Sequence, residues 1–206
     1  MMLDLGKFRA VIFDFDGVIV DSESMQARAW TRVAAMVGHK DRQITIQQIA
    51  GQLDVNLAAE LFPGCDASWC VREKWRIDAE LEAAGELRTV DGIEPFVRAI
   101  AKTHRLAICS SCEHQLVARR LEQTGLRSRF AVVVGRTEEM RHKPAPDLYL
   151  RALARLELSA AEACAIEDSP TGIAAAKAAG LHVIQLVHPG IPRSADADHW
   201  IERFET

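Results

Sequence analysis

The sequence predicts an α/β protein: a doubly wound, mostly parallel sheet with a block of helices inserted after its first strand. Three observations predict it. Short apolar runs recur along the chain without polar alternation, each bounded by Ser, Gly, Asp or Pro, as in strands covered on both faces. Stretches of helical length lie between them, so strand and helix alternate. One stretch of about 64 residues breaks that alternation with helical patterns alone.

The first strand is Ala10–Phe13 (AVIF), closed by Asp14-Phe15-Asp16-Gly17. Residues 22–85 then carry apolar positions at helical spacing around Ala27, Trp30, Val33, Ala34 and Val37, and again over 44–49, 57–62 and 69–81. Gly38, Pro63-Gly64 and Ala84-Gly85 punctuate them. Residues 93–102 place Ile93, Phe96, Val97 and Ile100 on one helical face. Residues 106–109 (LAIC) read as the second strand, 115–123 as a helix stopped by Gly125, and 131–134 (AVVV) as the third strand. A helix over 146–156, a strand over 164–166 (CAI), a helix over 171–179 stopped by Gly180 and a strand over 182–187 (HVIQLV) complete the series. The domain reading is a core of residues 1–21 and 86–206 with a helical domain of residues 22–85 spliced into it.

Composition narrows the function classes. A chain of 206 residues buries roughly seven-tenths of its surface on folding, enough for a core without disulfides or structural metals. Hydrophobic residues at 49% and charged residues at 26% exclude disordered and fibrous classes. A net charge of −4, with no basic run longer than Arg119-Arg120, argues against nucleic acid as a partner. Charges interrupt every apolar stretch before it reaches membrane-spanning length. The first nine residues lack the apolar core of a secretory signal, and five unevenly spaced cysteines suit a reducing compartment. The expectation is a soluble, cytoplasmic monomer with no membrane partner.

Four polar groups sit where the predicted strands end, the edge at which open parallel sheets bind ligands. Asp14 and Asp16, two residues apart, point the same way in extended chain and repel unless a cation or a shared proton intervenes. One can be a nucleophile and the other a general acid/base, against the plainer reading of an Asp-Gly turn. Cys109-Ser110-Ser111-Cys112 offers hydroxyls and backbone N–H groups for an anion, although Ser is also an ordinary helix N-cap. Lys143 lies in the stiff His142-Lys143-Pro144-Ala145-Pro146 segment and can supply positive charge; taken alone it is a surface lysine. Glu167-Asp168 suits a hard cation such as Mg²⁺, or N-caps the helix that follows. Together the four assemble the equipment for phosphoryl transfer through an aspartyl-phosphate.

In that order the segments resemble the haloacid dehalogenase superfamily. Asp14-Phe15-Asp16-Gly17-Val18-Ile19-Val20-Asp21-Ser22-Glu23 is similar to its first motif, Ser110 to its second and Lys143-Pro144 to its third. Ile166-Glu167-Asp168-Ser169 with Gly172-Ile173 is similar to the fourth. The inserted helices resemble the α-helical cap of the β-phosphoglucomutase-like phosphatases, which closes over the strand tips. The resemblance implies Asp14 as nucleophile, Asp16 as general acid/base, Ser110 on the phosphoryl oxygens and Lys143 neutralising charge. It implies Mg²⁺ held by Asp14, the Asp16 carbonyl and Asp168, with Glu167 direct or through water. Gly17, Ser111, Gln26 and Glu113 fall on its substrate side, and the implied activity is hydrolysis of a small phosphorylated metabolite of sugar-phosphate type.

The alternatives differ in specific residues. Receiver domains carry their acidic pair and phosphorylated Asp in another order, and haloacid dehalogenases resemble one another in lacking an equivalent of Asp16. The β-phosphoglucomutases carry a cap histidine ten residues after the acid/base, where this chain has Gln26. They carry a Lys and an Arg flanking a cap glycine, where the matching segment 49–54 offers Ala50 and Asp54, and a Lys where this chain has Glu113. Loss of those cations and of the imidazole favours a phosphatase over a mutase. Of the remaining features, Cys109-x-x-Cys112 has the spacing of a redox or metal pair, but Cys109, which ends an apolar strand, reads as a buried structural thiol, and His114 and His142 read as surface residues. Trp30, Trp69, Trp75 and Trp200 read as packing.

Overall fold

The computed structural model describes residues 3–49 and 54–205. The chain divides into two compact units, residues 1–20 with 89–206, and residues 21–88.

The larger unit is built on six parallel strands: β1 (Ala10–Phe13), β2 (Arg105–Glu113), β3 (Val132–Arg136), β4 (Ala163–Glu167), β5 (His182–Leu186) and β6 (His199–Ile201), in spatial order β3-β2-β1-β4-β5-β6. Every residue of β1 and β4 is buried, which explains why these strands are apolar without alternation. Alternate β1 side chains serve opposite layers. Ala10 and Ile12 join the cluster that includes Leu148, Tyr149 and Ala152 of one helix and Ile173, Ala175 and Ala176 of another. Phe13 faces the other way and meets Phe96 and Phe130 edge-on.

The helices of the smaller unit come first along the chain: α1 (Ser22–Met36), α2 (Ile46–Ile49), α3 (Asp54–Leu61) and α4 (Ala67–Ala83). Asp21 caps α1 through Ser24 N, and Asp66 caps α4 through Ser68 N and Trp69 N. Trp30, Val33, Leu57, Leu61, Phe62, Ile77 and Leu81 form its core. The larger unit contributes α5 (Ile93–Ile100), α6 (His114–Gln123), α7 (Asp147–Leu156) and α8 (Pro170–Ala178). Among the described residues, no helix is long and apolar enough to cross a membrane.

Three features depart from the sequence reading. β2 runs on through Ser110 and Ser111 to Glu113, with a register shift against β3 between Ser110 and Glu113. Ser110 therefore lies inside a strand and does not cap α6, which begins at His114. β6 was not anticipated: three residues, one of them tryptophan, carry too little pattern to announce a strand. Trp75 and Trp200 are 59% and 42% exposed and do not fill a core. Trp75 donates Nε1–H to Asp54, and the Arg193 guanidinium stacks 3.3 Å from the Trp200 ring centroid, so each ring has a polar or cationic partner at the surface.

Candidate active site

Six of the predicted residues meet in two hydrogen-bonded groups, Asp14, Lys143, Glu167 and Asp168 in one and Asp16 with Ser110 in the other. Asp14 follows β1 and extends its ladder, donating its N–H to Ile166 O (2.9 Å). The chain then folds back at once: Ile19 and Val20 both donate to Phe15 O, and Gly17 donates to Val20 O. The turn thus spans Phe15 to Val20, with Asp14 just before it and Asp16 within it. Gly17 has φ +80°, and a Cβ there would lie 2.0 Å from Asp168 Oδ2, so both the turn and the carboxylate's seat require glycine.

Lys143 organises one side. Its Nζ donates to Asp14 Oδ1 (2.5 Å) and to Glu167 Oε1 (2.5 Å), and its side chain is 5% exposed. Glu167 is fully buried. Its Oε1 also accepts from the Tyr149 hydroxyl (2.6 Å), while Oε2 accepts from Asp168 N, Ser169 N and Ser169 Oγ. Ser169 caps α8 by accepting from Gly172 N, so the capping role belongs to Ser169. A Cβ on Gly172 would fall 1.9 Å from Glu167 Oε1, so the carboxylate packs directly on the helix backbone.

Asp16 is held from the other side. Its Oδ2 accepts from Ser110 Oγ (3.3 Å) and Cys112 Sγ (3.2 Å), and Arg120 Nη1 stands 3.5 Å from Oδ1. The Ser110 hydroxyl oxygen in turn accepts from Cys112 N.

Burial raises the Asp14 carboxyl above its ordinary range; Lys143 opposes this, and the charges of Glu167 and Asp16 add to it. Burial alone would discharge Lys143, but the two carboxylates outweigh it and hold the ammonium charged. Burial pushes the Cys112 thiol up to about 12 and raises Cys109 further, so both are thiols and the redox reading of the pair loses its thiolate.

The cluster fits a divalent cation. Asp14, Glu167 and Asp168 each bring a carboxylate oxygen within 4.8 Å of the others. The Lys143 ammonium meets two of these three carboxylates, Asp14 and Glu167, and all the donors are the hard oxygens that Mg²⁺ takes. A cation held at that point would oppose the rise of the Asp14 carboxyl.

The other predicted residues lie elsewhere. Ser111 and Glu113 are exposed on the last part of β2. His114 and His142 are exposed as expected. Gln26 is in the smaller unit, where its Oε1 accepts from Lys74 Nζ (3.2 Å); the same buried ammonium reaches Asp54 and Asp78. Ala50 lies outside the described residues.

Three residues of the site escaped the sequence reading. Tyr149 falls on the apolar face of α7, and a buried tyrosine needs a partner for its hydroxyl, which was the available signal. Arg120 shares the buried face of α6 with Val117 and Leu121, and a charge at an apolar position is a comparable signal. His188 gave no signal. It follows β5, and its Nε2 lies 2.8 Å from Gly17 O and 3.6 Å from Asp168 Oδ2.

The chain is similar in sequence and fold to several known proteins. The fructose-1-phosphate phosphatase YqaB of Escherichia coli (strain K12) is 28% identical over 192 residues, spanning 87% of this chain and 97% of that protein. The β-phosphoglucomutase of Bacillus subtilis (strain 168) is 25% identical over 186 residues, spanning 85% and 82%. A HAD family hydrolase from Deinococcus radiodurans R1, solved with bound phosphate and sodium, superposes with a TM-score of 0.76 at 27% identity, covering 95% of this chain and 91% of that one. A family model for haloacid dehalogenase-like hydrolases matches residues 11–186. The match runs from the second residue of β1 to the last of β5 and takes in every carboxylate described above; the chain belongs to the haloacid dehalogenase-like hydrolases.

Proposed function

We propose that the chain is a Mg²⁺-dependent phosphatase acting on a small phosphorylated metabolite of sugar-phosphate type, through a phosphorylated Asp14. The observation that carries this reading is the separation of the two motif carboxylates. Asp14 is held by Lys143, while Asp16 is held by Ser110, Cys112 and Arg120. Two carboxylates in different environments suit different roles.

Asp14 and Asp168, with the Asp16 carbonyl, would hold the cation; Glu167, whose oxygens already accept five hydrogen bonds, would meet it through water. When bound, Mg²⁺ supplies positive charge to the phosphoryl oxygens and to the attacking carboxylate. In the first half-reaction an Asp14 oxygen bonds to phosphorus as the ester P–O bond breaks. The protonated Asp16 gives its proton to the departing alkoxide, releasing the alcohol. In the second, a water oxygen attacks phosphorus, Asp16 takes the water's proton, and Asp14 leaves as a carboxylate. Lys143 keeps Asp14 oriented and offsets charge, and Ser110 offers its hydroxyl to a phosphoryl oxygen.

The mutase reading draws on the β-phosphoglucomutase relative. The residues speak for hydrolysis. Gln26 carries an amide where a proton shuttle would be needed, and Glu113 is a carboxylate at the position where the mutases carry a lysine. The decisive experiment supplies Mg²⁺ with a panel of phosphorylated metabolites, and β-glucose 1-phosphate with a trace of its bisphosphate, followed by ³¹P NMR. Inorganic phosphate is the expected product. Faster accumulation of glucose 6-phosphate overturns the assignment, and full activity after exhaustive chelation overturns the metal dependence.

A further inference from the structure

Arg120 is a guanidinium on the core side of a helix. α6 buries Val117, Arg120 and Leu121, an i, i+3, i+4 set in which a core helix ordinarily carries three apolar residues. The Arg120 side chain is 10% exposed, and a cation there is costly unless an anion meets it. Its Nη1 reaches Asp16 Oδ1 at 3.5 Å.

The other carboxylate oxygen explains why this contact matters. Asp16 Oδ2 takes the Ser110 hydroxyl and the Cys112 thiol. A serine hydroxyl has one proton, so Ser110 cannot donate to Asp16 and to a phosphoryl oxygen at the same time. When Ser110 turns to the phosphate, Asp16 loses that bond and retains Cys112, a weak donor, and Arg120. A carboxylate released at that moment has rotamer freedom, and displacement of about 1 Å can cost on the order of 10²-fold in rate.

We propose that Arg120 is a positioning residue that keeps the Asp16 carboxylate at the Ser110 edge of the site while Ser110 transfers its hydrogen bond to the substrate. The inference rests on the reading of Asp16 as the general acid/base. Arg120 touches no reacting atom; it acts by fixing the group that gives a proton to the leaving oxygen and later takes one from water.

The test uses full-length protein with Mg²⁺ and two substrates of similar shape. 4-Nitrophenyl phosphate releases a phenolate that departs without protonation, whereas benzyl phosphate releases an alkoxide that requires it. The readout is the ratio of kcat/KM for benzyl phosphate to that for 4-nitrophenyl phosphate, which reports the first half-reaction. Asp16→Asn should lower the ratio by about 10² or more. Arg120→Met should lower it by about tenfold, with Arg120→Lys recovering most of the loss. A merely structural role for Arg120 would reduce both substrates alike and leave the ratio unchanged. Arg120→Gln, which keeps a donor and similar length, serves the same comparison should Arg120→Met fail to fold. An unchanged ratio in a folded Arg120 variant, with Asp16→Asn still discriminating, overturns the role of Arg120 and leaves that of Asp16 standing. A ratio unchanged in Asp16→Asn itself overturns both.

Discussion

Replacing Glu167 by Gln, a change of one atom, should destabilise the protein by about 3–5 kcal/mol. Glu167 is fully buried and meets donors on both oxygens: Lys143 Nζ and the Tyr149 hydroxyl at Oε1, two backbone N–H groups and the Ser169 hydroxyl at Oε2. A carboxylate accepts from both sides, whereas an amide accepts on one and donates on the other. With its NH₂ toward Lys143 it opposes an ammonium; turned over, it opposes the amides of Asp168 and Ser169. The hydroxyls of Tyr149 and Ser169 can rotate to accept, but an ammonium and backbone N–H groups cannot. At least one bond to an ionised acceptor is lost, about 1.5–3 kcal/mol, and at least one buried donor is stranded, about 1–3 kcal/mol more. Lys143 keeps Asp14, which holds the total below full loss of a buried pair. For a chain of this length each kcal/mol lowers Tm by roughly 2–4 °C, so the melting point should fall by about 10 °C. Scanning calorimetry and urea unfolding in chelator, with circular dichroism to verify the fold, measure it without a contribution from bound metal. A loss under about 1 kcal/mol refutes the claim that both oxygens are committed to donors.

Gly172→Ala should cost about 1–3 kcal/mol in urea unfolding, because the added methyl meets a carboxylate that five donors hold in place; an unchanged midpoint would show that Glu167 moves freely. Asp14→Asn should abolish phosphate release while leaving the far-ultraviolet circular dichroism unchanged, and more than a few per cent residual turnover would exclude Asp14 as nucleophile. Calcium should replace Mg²⁺ poorly in a phosphate-release assay, since it favours more ligands at longer distance; equal rates would count against an in-line geometry held by the cation. The Glu162 carboxyl is held down to about 2 by hydrogen bonds from the Ser159 backbone and then from Arg9 and Ser159 side chains. A depressed native value means that its stabilisation is complete above the ordinary 4.5 and disappears as pH falls toward 2. Glu162→Gln should therefore flatten the stability profile in that window, and a variant profile parallel to wild type there would refute the linkage.

Much of this molecule is decided locally, and that part was legible in the sequence. Buried parallel strands must be apolar on both faces, so AVIF at 10–13 and CAI at 164–166 declare themselves without neighbours. The chemistry-bearing carboxylates stand at or within three residues of the ends of such strands, and Lys143 is marked by the prolines that follow it, so Asp14, Asp16, Lys143, Glu167 and Asp168 stood out together as candidates, and the family resemblance supplied their roles. The extent of β2 through Ser111 was hidden, because polar residues that continue a strand look like a loop until β3 lies beside them. Tertiary structure alone decided which partner each charge meets. Tyr149 and Glu167 are 18 residues apart, Arg120 and Asp16 are 104, and His188 and Gly17 are 171. No periodicity encodes such pairs, since they exist only after the strands have set the order β3-β2-β1-β4-β5-β6 and brought separate tips to one edge. Sequence determines which groups can carry charge and where the backbone will present them; the fold determines which charges become neighbours, and burial then fixes their strength.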